Sequence, residues 1–123
     1  VAITLTTRAK NAALDGIVDE IDSGGSTGNL QILDAGGNEL ATLPLTNPAF
    51  GAASNGSVTA NSITTDTTVN AGTATQFKVF TSGGSEVFRG TVTVTSGGGD
   101  LTLTNVNLFA GDTLAVSSFT LTI

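Results

Sequence analysis

Ten carboxylates are the groups in this chain able to move a proton or hold a hard cation. Asp15, Asp19, Glu20 and Asp22 lie close together, and Asp15 and Asp19, four apart, are neighbours on one face of a helix. Glycoside hydrolysis needs two carboxyl groups held across a cleft, usually beside aromatic or polar sugar contacts. Here the acids fall on the polar side of a helical pattern and the chain has no Trp or Tyr, so a solvated acidic face is expected. Calcium asks only for oxygens. The acidic turns Asp34-Ala35-Gly36-Gly37-Asn38-Glu39 and Gly97-Gly98-Gly99-Asp100 lack the spacing of a calcium loop, and turn geometry selects Asp, Asn and Gly without a metal. No glycine run matches a phosphate-binding motif. The 22 Thr supply many hydroxyls, but with no His and no Cys there is no Ser–His or Cys–His pair and no ordinary transition-metal site. The expectation is a chain with no enzymatic activity, no cofactor and no metal.

Composition points the same way. A length of 123 residues suits one domain with a modest core. That core must be Leu, Ile, Val and Ala, with Phe50, Phe77, Phe80, Phe88, Phe109 and Phe119 as its largest pieces. Charged residues are 11% of the chain, against about 25% in typical soluble domains. Such a chain covers itself with Thr, Ser, Asn and Gly, or hides surface in an assembly. The net charge is −6 and the only cations are Arg8, Lys10, Lys78 and Arg89, so neither nucleic acid nor an anionic membrane is expected as a partner. The opening VAITLTTRAK lacks the features of a signal peptide, and a start at Val1 is expected to reflect loss of an initiator Met or of a tag.

The elements that would position these groups are legible from periodicity. Over residues 6–22, Ala13, Leu14, Ile17, Val18 and Ile21 recur at helical spacing, with Thr6 or Thr7 as cap and Gly24-Gly25 as stop. Arg8 and Lys10 stand at the positive end of the helix dipole and the acids at its negative end. Solvated cations at an exposed terminus explain this at little cost; commitment of both to an acidic partner is the alternative. From residue 28 to 123 the pattern is one of strands. Leu30 and Ile32 lead through the Asp34–Asn38 turn to Ala41, Leu43 and Leu45, with Pro44 marking an edge strand or a strand end. Asn47-Pro48-Ala49-Phe50-Gly51 reads as a loop, and 52–70 as a long connection with one weak strand near Val58–Ile63. Phe77 and Val79 share a face, Ser82–Ser85 turns, and Phe88, Val92 and Val94 alternate on the return. Leu101 and Leu103 follow, and a last strand over LAVSSFTLTI carries a bulge at Ser117–Ser118. The fold class expected is mainly β: a single domain with one N-terminal α-helix and an antiparallel β-sandwich or jelly-roll-like body.

Several stretches carry a family resemblance: TTRAKNAALDGIVDEIDSG, LQILDAGGNELATLPL, NPAFGAASNGSVTANSIT, GTATQFKVFTSGGSEVFRGTV and GGGDLTLTNVNLFAGDTLAVSSFTLTI. Together they resemble a family of small virion structural proteins from tailed bacteriophages. Gln76 and Lys78 depart from it, standing where bulkier aromatic residues are expected. The resemblance implies a capsid cement (decoration) protein, a homotrimer on the major capsid protein at the virion surface. A tail or baseplate component is the alternative, and a glycan-binding adhesin module a more distant one. Partner contacts are expected from Arg8 and Lys10 facing acidic capsid surface, and from Asn47, Pro48 and Phe50 in the loop, with Phe50 otherwise an ordinary core plug.

Overall fold

In the computed structural model, which describes residues 3–123, the helix α1 spans Thr7–Ile21. The Thr6 hydroxyl accepts a hydrogen bond from the Ala9 N–H at 3.2 Å and caps it. Asp22 closes the other end, and Gly24 and Gly25, at φ +88° and +76°, turn the chain away in a conformation that glycine adopts freely. Leu14, Val18 and Ile21 are buried and Ile17 packs against the core, whereas Ala13 is exposed. Burying one such side chain is worth about 1.5–3 kcal/mol, which outweighs the ~1 kcal/mol lost at Gly16 relative to Ala.

Nine strands follow: β1 (Asn29–Leu33), β2 (Glu39–Pro44), β3 (Ser57–Thr59), β4 (Gly72–Thr73), β5 (Gln76–Phe80), β6 (Glu86–Val94), β7 (Leu101–Leu103), β8 (Asn107–Leu108) and β9 (Thr120–Thr122). Five form one sheet in the order β2-β1-β5-β6-β7, so Pro44 does end an edge strand. The hairpins β1–β2 and β5–β6 pair antiparallel, as does β1 with β5. Phe77 and Val79 point into the core, while the Gln76 amide donates to the Asp34 carbonyl oxygen at 2.8 Å. Gln76 and Lys78 therefore lie on the outer face.

The body departs from the expected antiparallel sandwich in two ways. First, β7 joins β6 in parallel, in the register Val92↔Leu101 and Val94↔Leu103. Parallel neighbours normally need a dozen or more intervening residues. Here a short loop suffices because it folds onto Thr93, whose hydroxyl accepts from the Gly99 N–H at 2.9 Å. A Cβ on Gly97 or Gly99 would lie 2.6 or 2.8 Å from Thr93 side-chain atoms, which accounts for the glycine run. Second, the other strands form two short antiparallel pairs, β3–β9 and β4–β8, and not a second continuous sheet. Thr120–Thr122 is the only part of the expected last strand in a ladder; Leu114 bridges to Asp66, and Leu114 and Val116 are buried as the alternation predicts.

The connection after Phe50 is more ordered than its composition suggests. Asn55 and Gly56 both have positive φ (53° and 75°), and Ser54 and Ser57 exchange hydrogen bonds of 2.9 and 3.0 Å, making a two-residue hairpin turn. One core unites the helix residues Leu14, Val18 and Ile21 with Leu30, Ile32, Leu43, Phe77 and Val92 of the sheet and Val58 of β3. Phe119 lies at its centre, with ring centroids 5.1 Å from Phe77, 5.8 Å from Phe50 and 6.2 Å from Phe88.

Candidate interaction surface

Most carboxylates are engaged in holding backbone. Asp34 accepts from the Gly36 and Asn38 N–H groups, each at 2.9 Å, and Asn38, through its side chain and backbone, holds the Asp34 carboxyl below its ordinary pKa. Along α1, Asn11 accepts from the Gly56 N–H, Asp15 from Ala53 and Asp22 from Ala49, at 2.9, 3.2 and 3.0 Å. One helix edge thus straps down the segment from residue 49 to 56. Asp100 receives the Thr91 N–H at 3.0 Å and Asp112 the Phe109 N–H at 3.0 Å. Glu86 takes Arg89 at 2.8 Å and Lys78 at 3.6 Å, and the Arg89 hydrogen bond is the main reason its pKa is lowered.

Asp66 has the widest reach. One carboxylate oxygen accepts the Thr42 N–H of β2 at 2.8 Å, and the other accepts the Thr68 N–H at 2.8 Å and its hydroxyl at 3.1 Å. Partial burial pushes the Asp66 pKa up, but these donors outweigh it and the net shift is downward. Thr64 N–H donates to the Pro44 carbonyl oxygen and Asn70 N–H to that of Leu40, so the connection seals the open edge of β2. Asp19 and Glu20 are the carboxylates left without a hydrogen-bonded partner among the described residues. Nor do the described residues contain a group of three or more His, Cys, Asp or Glu arranged to hold a metal ion.

The residues expected at a partner contact divide. Arg8 is exposed and Lys10 half-buried, and neither forms a salt bridge among the described residues. The Lys10 stem covers the Asn55–Gly56 turn: a Cβ on Gly56 would sit 3.2 Å from Lys10 Cδ and from the Ile123 carbonyl oxygen. Asn47 and Pro48 are exposed, joined by a cis peptide bond, with the Asn47 amide donating to Ser26 and the Pro48 carbonyl oxygen accepting from the Asn61 amide at 2.9 Å. Phe50 alone of these five is buried. It is 2% exposed, packed on Phe119, because its backbone bridges to Ala60 and turns the ring inward.

A second aromatic departs from the expectation that all six Phe belong to the core. Phe109 is 66% exposed on a turn braced from both sides: Asp112 N–H donates to the Phe109 carbonyl oxygen, and Gly111 N–H to that of Val69. Strand alternation puts Leu108 and Phe109 on opposite faces, and the structure turns Leu108 inward. Ile3 and Leu5, before the helix, are 85% and 47% exposed. Two open clefts flank the stretch Ala115–Ser118: one of about 410 Å³ against Ala60–Ile63, the other of about 250 Å³ against Thr102–Asn105. No titratable side chain lines either. No protein-family model, curated protein or solved structure matches this chain.

Proposed function

We propose that this chain is a non-enzymatic structural protein of a phage particle, a cement (decoration) protein that binds the major capsid protein as a homotrimer on the virion surface. The observation that carries the reading is Phe109 held outside on a braced turn, together with the uncovered Ile3 and Leu5. Large apolar side chains held at the surface can serve as anchors for a partner that covers them. The framework behind them is stiffened by side-chain carboxylates that fasten loops to helix and sheet. Arg8 and Lys10, which form no salt bridge among the described residues, suit the acidic surface that the family resemblance implies.

The test is cryo-electron microscopy of the intact particle. Density for this chain at symmetric positions over the head lattice supports the reading, and density confined to the tail overturns it in favour of a tail component. Removing Val1–Lys10 is a poor probe of contact, because it takes away the Thr6 cap and the first turn of α1. Arg8→Glu and Lys10→Glu leave both in place and should lower capsid occupancy without unfolding the domain.

A further inference from the structure

The cleft between β7 and Ala115–Ser118 has the form of an empty strand position. β7 is the last strand of the five-stranded sheet, so its outer edge has no neighbouring strand. Opposite it, no N–H or carbonyl oxygen of Ala115–Ser118 has a main-chain partner among the described residues. Leu103 and Val116 are buried along the groove, and the Thr95 hydroxyl reaches the Leu103 carbonyl oxygen only at 3.4 Å. Two unpaired backbone walls facing each other are what an extended peptide fills by strand addition.

The same chain displays a matching strand. Residues 3–5 make no backbone hydrogen bond among the described residues, and Thr6 is extended at φ −71°, ψ 160°. Ile3 and Leu5 alternate with Thr4 and Thr6, the period of a strand that buries one face. Neither the groove nor this stretch carries a charge, so seating one in the other leaves no ion unpaired in a chain otherwise rich in acids. Within one molecule the two remain apart: Ile3 and Leu5 are uncovered, and α1 is tied instead through Asn11 to the Asn55–Gly56 turn. We infer that the Ile3–Thr6 stretch of one copy adds as a strand to the groove between β7 and Ala115–Ser118 of a second copy. The contact is head-to-tail, joining different surfaces of the two molecules, and repeated around a rotation axis it closes a ring.

The chain has no Cys, so a disulfide can report this directly. Leu5→Cys and Ser117→Cys copies, distinguished by a mass tag, are co-expressed and oxidised mildly. A mixed disulfide several-fold more abundant than that formed by Leu5→Cys with an Asp19→Cys control is expected. Mixed product no greater than the control overturns the inference, and so does a chain carrying both substitutions that closes only on itself at every dilution. Sedimentation velocity adds a second reading on the purified protein: Ile3→Glu with Leu5→Glu should reduce the oligomer to monomer while the circular dichroism spectrum stays that of the folded domain. A parent that is already monomeric, or a variant of unchanged mass, also overturns it. None of these readouts involves a capsid, so their failure is distinct from failure of the particle assignment.

Discussion

Asp66→Ala should cost about 2 kcal/mol, because one carboxylate joins the β2 edge to the connection that seals it. The substitution removes the acceptor of the Thr42 N–H at 2.8 Å and of both Thr68 donors. A hydrogen bond to a charged group contributes about 1.5–3 kcal/mol, and the partial exposure of this site lets water recover some of that for the Thr68 pair. With an unfolding entropy of about 2.1 cal/mol/K per residue, the 123-residue chain should lose about 8 °C in Tm. Circular dichroism melts of parent, Asp66→Ala and Asp66→Asn would measure it, with Asn falling between because it keeps one acceptor oxygen. The pH dependence gives a second check. The folded Asp66 pKa is lowered, so its contribution is complete above the ordinary carboxylate value of about 4 and is lost as pH falls through the lower folded value. Asp66→Asn should therefore flatten the acid limb of the stability profile. A Tm for Asp66→Ala within about 2 °C of parent would refute the idea that this carboxylate fastens the edge.

Other substitutions probe the core and the surface separately. Gly90→Ala places a methyl group 2.7 Å from Phe77 Cζ and 2.8 Å from an Asp100 carboxylate oxygen, and should destabilise by about 1–3 kcal/mol in urea titration. Phe119→Ala empties the centre of the Phe cluster and should cost about 3–5 kcal/mol by the same measurement. Phe109→Ser, on the exposed turn, should stay within about 0.5 kcal/mol of parent stability while reducing occupancy on particles counted by quantitative gel. Gly56→Val forces a β-branched residue to φ +75° against Lys10 and the Ile123 carbonyl oxygen, and should lower Tm even though the site is at a turn.

What the amino-acid order determined by itself is local. The Thr6 cap, the stripe of Leu14, Val18 and Ile21, the alternation that buries Phe77 and Val79, and the Asp34–Asn38 turn each follow from forces acting within a few residues. The Asn55-Gly56 turn was equally legible, through a dipeptide that favours positive φ, and was obscured by the small polar residues around it. The absence of His and Cys was also written in composition. Only the tertiary structure decided how distant segments meet. Periodicity states which side chains share a face but not what that face will touch, so it left open whether Phe50 would turn inward and Phe109 outward. It gave no sign that β7 would run parallel to β6, a pairing made possible by glycines folded against Thr93. Nor could it reveal that Asp15, Asp22 and Asp66 serve backbone N–H groups 38, 27 and 24 residues away. Those bonds exist because a buried or edge N–H must find an acceptor wherever the completed fold brings one, and that condition is set by the packing of the whole chain.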